Sequence, residues 1–187
     1  MKLEFIYGIN RALRCSFMLY FYRGKIMEID RRVHYDGKEY KLIYKIGKKK
    51  KLEIKDDQMI ITGLRFHTLH FKSILNDFYR KEVEKELMKL IYDAEYDFQE
   101  IPFPKIKVRH LRNRLYGYYH IKNNEITLSS YLARVSLKYV KVVLYHELSH
   151  TLVITHKEEF IDVFKNKLKD GPILDEELKN ICYNDYI

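Results

Sequence analysis

The chain has 187 residues, of which 47% are hydrophobic and 33% are charged, and its formal net charge is +9. This length and apolar content are enough for one sizeable core, and they exclude an intrinsically disordered chain. The positive charge permits acidic partners, including nucleic acid, but does not require them.

The two cysteines, Cys15 and Cys182, stand near opposite ends of the chain and form no C-x-x-C pair. This pattern excludes a zinc ribbon built from cysteines and is typical of a reducing compartment, so we expect a cytoplasmic protein. The apolar run from Phe17 to Tyr22 is far too short to span a bilayer. It also lacks a small-residue cleavage site, so we expect neither a membrane span nor a secretory signal.

The first residues carry the weakest structural signal. Residues 1–27 show no clear periodicity, and Met27 could serve as an alternative start. We therefore expect an N-terminal extension of uncertain order over residues 1–27 and a single domain over residues 28–187. The sequence predicts no oligomeric state.

From residue 28 onwards the pattern favours antiparallel β-strands. Two runs, Arg32–Tyr35 and Tyr40–Tyr44, flank Asp36-Gly37, which is a strong signal for a hairpin turn. Three further segments follow in the same manner: Leu52–Ile54 as a strand, Asp56-Asp57 as a turn and Met59–Ile61 as a strand.

Residues 68–97 predict one long helix. Its large apolar residues fall on one face, while Lys and Glu occupy the rest of the surface. These apolar residues are Phe71, Leu75, Phe78, Leu87, Leu90 and Ile91. Pro102 and Pro104 then begin an extended connection. Three more strands are predicted after it: Ile106–Val108, Gly117–Ile121 and Ile126–Leu128.

The chemistry is concentrated in His146-Glu147-Leu148-Ser149-His150, an H-E-x-x-H pattern inside an apolar run without Gly or Pro. On a helix, His146 and His150 project from one face and can share one zinc ion. Glu147 lies about a hundred degrees round the helix, where it can act as general base on a zinc-bound water. The pattern therefore predicts metal-assisted hydrolysis with Glu147 as the catalytic residue.

A zinc site of this kind needs a third protein ligand, and His156 is the candidate. It follows His150 by six residues, a distance over which the first helix could end and the chain could turn back. Thr155 and Glu158 match a capping box, which predicts that His156 opens a second helix running to about Asp170. We expect one zinc ion per chain, held by His156 and the two histidines of the motif.

These residues resemble the motif of the YgjP-like metallopeptidases, which reads H-E-L-x-H, five further residues and H-x-x-x-F. In this chain that motif spans His146–Phe160. The resemblance extends to Ile126–Leu128, which is similar to the strand before the metal helices of the family. It also includes Asp77–Lys81, which is similar to the opening of a family helix, and it covers roughly residues 28–169.

The element pattern and this resemblance predict a zincin-like α+β domain with antiparallel strands, a long helix and two C-terminal helices that bear the metal. The resemblance implies a peptidase acting on peptide or protein substrates, whereas the ligand spacing alone implies only metal-assisted hydrolysis. The chain departs from the family where Leu115–Tyr119 replaces Trp-Gly-Ser-Cys and where Ser129 replaces Asn. The metal ligands survive these changes, whereas the family's substrate contacts do not transfer directly.

Two other functions remain open. One is hydrolysis of a nucleotide phosphoanhydride, because the same activated water can attack phosphorus. The other is a protease similar to the SprT-like proteases, which act on proteins bound to nucleic acid. Basic residues favour this second alternative, because they could bind a nucleic acid backbone. These residues are Lys48–Lys51, Arg109, His110, Arg112 and Arg114. The absent zinc ribbon counts against this alternative. Four residues are equal candidates for an oxyanion donor: Tyr116, Tyr118, Tyr119 and His120.

Overall fold

The fold is described from a computed structural model, for residues 19–23, 26–64, 68–111 and 115–181 of the chain. This part of the chain contains eight β-strands, arranged in two small sheets, and five α-helices. The predicted α+β class is therefore confirmed. Residues 1–18 of the predicted extension, both cysteines, and Arg112 and Arg114 of the basic cluster lie outside the described residues.

The first sheet has five strands in the order β1-β2-β3-β5-β4. They are β1 (Leu19–Arg23), β2 (Ile26–Tyr35), β3 (Lys38–Ile46), β4 (Lys51–Lys55) and β5 (Gln58–Gly63). The predicted β2–β3 hairpin is confirmed. Its turn residues Asp36 and Gly37 have φ angles of 48° and 75°, which suit the positive-φ turn that joins two twisted strands tightly.

One strand pair of this sheet differs from the expected antiparallel pattern. Strands β3 and β5 pair parallel, while β4 pairs antiparallel with β5 on its other side. Strand β5 is the more apolar strand of the β4–β5 hairpin, and its Met59, Ile60 and Ile61 are all buried. It therefore takes the interior position and leaves the charged β4 at the edge.

The second sheet has three strands in the order β6-β8-β7, namely β6 (Lys105–Arg109), β7 (Gly117–His120) and β8 (Glu125–Ser129). Strand β7 is antiparallel to β8, and β6 is parallel to it. Strand β7 ends one residue before the prediction, because Ile121–Asn123 forms a single 3-10 turn. Strand β7 forms one edge of this sheet.

The long helix α1 (Thr68–Asp97) matches the predicted range. Phe71, Leu75 and Leu87 of the predicted stripe are buried, and the other three predicted residues are half-buried. Tyr79, Val83 and Ala94 complete the buried face. None of the described helices combines the length with the apolar character needed to cross a membrane.

The short helix α2 (Leu132–Val135) leads into α3 (Lys138–Ser149), which carries the H-E-x-x-H motif. The start of α3 is fixed by the first sheet, because Oδ1 of Asp36 accepts hydrogen bonds from Ser136 Oγ at 2.8 Å and Leu137 N at 2.9 Å. Further along α3, the Tyr145 hydroxyl donates to Asp97 at the end of α1, at 2.5 Å. Helix α3 is therefore held at two points along its length.

Helices α4 (Glu158–Lys167) and α5 (Gly171–Asn180) complete the described fold. The predicted capping box is wrong, because Lys157 is the N-cap of α4 and no side chain caps it. The Thr155 carbonyl instead accepts a hydrogen bond from the Lys157 amide at 2.8 Å. His156 consequently lies in the loop before α4, so the helix geometry does not set the direction of its side chain.

The expected domain boundary at residue 28 leads to a truncation experiment. Strand β1 lies at the edge of the first sheet and pairs with β2, so its removal leaves the β2-β3-β5-β4 order intact. We expect a chain that begins at Met27 to fold and to bind zinc as the full chain does. Thermal unfolding and zinc content of both chains check this, and a marked loss of melting temperature or solubility would contradict it.

Candidate metal centre

Three histidines converge where α3 ends. His146 lies in the last turn of α3, His150 is the residue that caps it, and His156 reaches back from the loop before α4. The Nε2 atom of His156 lies 3.0 Å from Nε2 of His146 and 3.0 Å from Nε2 of His150. The structure therefore brings the three sequence-predicted ligands to one point.

The donor set fits a zinc ion. Imidazole nitrogens bound to one tetrahedral zinc at about 2.0–2.1 Å lie roughly 3.3 Å apart, close to the 3.0 Å separations found here. Burial lowers the pKa of His150 and of His156, and neighbouring histidines lower both further. The lower pKa favours the neutral imidazoles that metals require.

Phe160 explains the aromatic residue at the end of the sequence motif. It is the first large apolar residue of α4 and is only 3% exposed. Its ring stacks on His150 with centroids 4.5 Å apart, and it lies 4.9 Å from the rings of both His146 and His156. Helix α4 was expected to carry a metal ligand. It instead supplies the aromatic side chain that packs against all three imidazoles.

Glu147 sits beside the histidines and is almost fully buried. Burial raises its pKa to about 7, although the adjacent His146 and a hydrogen bond from the Tyr119 backbone amide act in the opposite direction. Strand β7 comes very close to α3 at this point. A Cβ on Gly117 would lie 2.8 Å from Val143 and 3.2 Å from the Glu147 side chain, so glycine makes room for the carboxylate.

An open cleft of about 470 Å³ contains these groups. It is lined by β7 and the residue pair before it, by the ends of α3 and α5, and by the His156 loop: Leu115, Tyr116, Gly117, Tyr118, Tyr119, Ile121, Val143, His146, Glu147, His150, Ile154, His156, Asp175 and Lys179. Of the basic cluster, Arg109 ends β6 and His110 follows it, at the opposite edge of the sheet from β7. The described part of that cluster therefore does not line the cleft.

The oxyanion candidates are only partly brought to the site. Tyr116, Tyr118 and Tyr119 line the cleft, whereas His120 is not among the lining residues. The Tyr119 hydroxyl donates to Asn124 at 3.1 Å, and that of Tyr116 donates to the Leu178 carbonyl at 3.3 Å. These two hydroxyls are therefore already engaged within the fold.

Sequence reasoning missed two residues of α5, Asp175 and Lys179. Asp175 Oδ1 lies 3.5 Å from Nδ1 of His146, and Lys179 contacts Asp175 Oδ2 at 2.9 Å. Burial alone would raise the pKa of Asp175, but His146 and Lys179 more than offset it and hold the pKa below its usual value. In the sequence this pair reads as an ordinary helical ion pair at i,i+4, so no local signal marked it.

Comparison with known proteins places these observations in a family. The chain matches the model of the YgjP-like metallopeptidase domain over residues 25–181. No curated protein is similar enough in sequence to match the chain.

The solved structures that are similar to the chain include the following two. The metallopeptidase zymogen jannalysin of Methanocaldococcus jannaschii has a TM-score of 0.42 at 16% identity, covering 50% of this chain and 91% of its own. Wss1 from Saccharomyces cerevisiae has a TM-score of 0.36 at 15% identity, covering 59% of this chain and 84% of its own.

The matched range includes the helix α3, the His156 loop, and α4 and α5 that pack beside them. The family expected from the motif is confirmed, together with the predicted α+β class. The chain belongs to the YgjP-like family and carries its metallopeptidase domain.

Proposed function

We propose that this protein is a zinc-dependent peptidase that cleaves extended polypeptide, with Glu147 as general base. The observation that carries the proposal is the meeting of three Nε2 atoms, with separations of 3.0 Å from His156, beside a buried carboxylate in an open cleft. Membership of a metallopeptidase family supports the same conclusion. The cysteine pattern supports a cytoplasmic setting.

The ligand set favours a catalytic metal over a structural one. His146, His150 and His156 supply three nitrogen donors, and all three line the open cleft, which a water or a substrate can enter. Structural zinc sites are usually closed by four protein ligands, whereas catalytic sites keep one position for water or substrate. Bound here, zinc supplies a Lewis acid that polarises the scissile carbonyl and lowers the pKa of the attacking water towards neutrality.

Glu147 would transfer the proton. As the water oxygen forms its bond to the carbonyl carbon, the carboxylate accepts a proton from the water. It returns that proton to the nitrogen as the C–N bond breaks, so the amine leaves neutral. The hydrogen bond from the Tyr119 amide and the space left by Gly117 hold the carboxylate in the cleft wall for this role.

The cleft wall also supports a polypeptide substrate. Strand β7 is an edge strand, and within the described ranges no other strand pairs with its outer side. An extended peptide can therefore bind by hydrogen bonds to the β7 backbone. The rim carries exposed apolar side chains, with Leu115 at 47%, Ile121 at 57% and Ile154 at 66% exposure. These side chains favour apolar residues near the scissile bond, which unfolded chains expose.

The alternatives find less support in the cleft. Among the described residues, Lys179 is the only Lys or Arg that lines the cleft, and it already pairs with Asp175 at 2.9 Å and Glu176 at 3.6 Å. A nucleotide polyphosphate would need more cationic contacts than this. A SprT-like role on nucleic-acid-bound protein would need a basic surface continuous with the cleft. The described basic residues lie elsewhere: Arg109 ends β6 at the far edge of the sheet, His110 follows it, and Lys48–Lys51 lead from β3 into β4 of the first sheet.

The ligand assignment is tested by changing His150→Ala. We expect most of the zinc to be lost, because two imidazoles hold zinc far more weakly than three. Zinc content after dialysis, measured by mass spectrometry, checks this against His120→Ala, an exposed histidine outside the cluster. Full zinc occupancy in the His150 variant would show that the assigned site is wrong.

The role of Glu147 is tested by Glu147→Gln, which keeps the shape of the side chain and removes its basicity. We expect unchanged zinc content and turnover reduced by roughly a hundredfold or more, the scale of general-base catalysis. The assay first requires a wild-type signal on denatured protein, with a nucleotide panel run beside it. Glu159→Gln, at an exposed position of α4, is the matched control. Retained turnover with zinc bound would refute the mechanism.

A further inference from the structure

We infer that Asp175 is a positioning residue of the metal centre, which holds His146 in the tautomer that leaves Nε2 free for the metal. The inference rests on the proposed function in one respect, namely that the histidine cluster binds zinc. It concerns α5, which contributes no histidine to the cluster and lies outside the sequence motif.

The environment of the two motif histidines differs on the side away from the cluster. Nδ1 of His150 lies 3.1 Å from the carbonyl oxygen of Val153, and an acceptor there requires a proton on Nδ1. Nδ1 of His146 is buried and makes no formed hydrogen bond within the described part of the chain. Asp175 Oδ1 faces this nitrogen at 3.5 Å. Its carboxylate is therefore the group that can fix the His146 tautomer.

The Asp175 carboxylate is itself held in place. The His146 side chain is only 14% exposed, and the Asp175 side chain is only 15% exposed. Its second oxygen bonds to Lys179 Nζ at 2.9 Å, which directs Oδ1 towards His146. The 3.5 Å separation is longer than a formed hydrogen bond, and a small rotation of either side chain brings the pair into range.

Close packing brings α5 to this position. A Cβ on Gly171, the first residue of α5, would lie 2.7 Å from the Phe164 ring. Phe164 in turn packs edge-on against the His146 ring, with centroids 5.4 Å apart. The glycine therefore allows α5 to approach the imidazole closely enough for Asp175, one turn further along, to reach Nδ1.

The negative charge of Asp175 can also stabilise a bound divalent cation. Three neutral imidazoles contribute no negative charge to offset a divalent cation in a partly buried site. Within the described ranges, Asp175 and Glu147 are the two carboxylates that line the cleft. Carboxylates that contact the far nitrogen of a ligating histidine typically raise metal affinity by 10–100-fold.

Metal affinity is the first test. We expect Asp175→Asn to weaken zinc binding by about tenfold, and Asp175→Ala by up to about a hundredfold, measured by competition with a chelator. The amide of Asn keeps an acceptor for Nδ1–H and loses only the charge, so it should rescue part of the effect. Glu176→Gln is the matched control, because Glu176 also contacts Lys179 but is exposed. Equal affinity in all three variants and the wild type would overturn the inference.

Tautomer measurement tests the same inference without metal. In the metal-free protein at about pH 8, above the ordinary pKa of histidine, nitrogen NMR of labelled histidine should show His146 protonated on Nδ1. Asp175→Ala should give a mixture of tautomers, with Asp175→Asn as the fallback if the Ala variant does not fold. His146 protonated on Nε2 in the wild type would overturn the inference. A wild type that binds no zinc would refute the proposed function, and the tautomer would still decide the role of Asp175.

Discussion

The requirement that three imidazole nitrogens meet at one point organises this structure. Nε2 atoms 3.0 Å apart gain little from one another without a cation, so the protein must hold them by packing and by hydrogen bonds elsewhere. Asp36 fixes the start of α3, Tyr145 bonds it to the end of α1, and Phe160 lies against all three rings. The two sheets and the long helix thus act as a scaffold for one short segment of chain.

Two glycines bring the remaining parts of the site within reach. Gly117 lets strand β7 approach α3, so that the Tyr119 amide can bond to Glu147 and the strand edge can border the cleft. Gly171 lets α5 approach Phe164, so that Asp175 faces His146. Both glycines serve a close approach and not a special turn. The histidine cluster, the position of Glu147 and the β7 side of the cleft therefore depend on packing between elements distant in sequence.

The sequence could predict features that depend on local patterns, but not those that depend on packing between distant elements. The histidine spacing, the Asp36-Gly37 turn and the long helix are local patterns, and the structure places them as expected. Alternation along β3 indicates which face is buried but not which neighbour the strand takes, so its parallel pairing with β5 was missed. Thr155 and Glu158 have the correct spacing for a capping box. The box does not form, because the loop turns His156 back to the cluster and α4 begins after Lys157. Asp175 was missed because only tertiary packing brings it to His146.

The central claim is that His146, His150 and His156 together hold one catalytic zinc ion, and X-ray absorption at the zinc edge of the purified protein tests it most directly. The account predicts nitrogen and oxygen neighbours at about 2.0–2.1 Å, with outer-shell scattering from three imidazole rings and none from sulfur. A shell of sulfur at about 2.3 Å, or scattering from one imidazole or none, would contradict it.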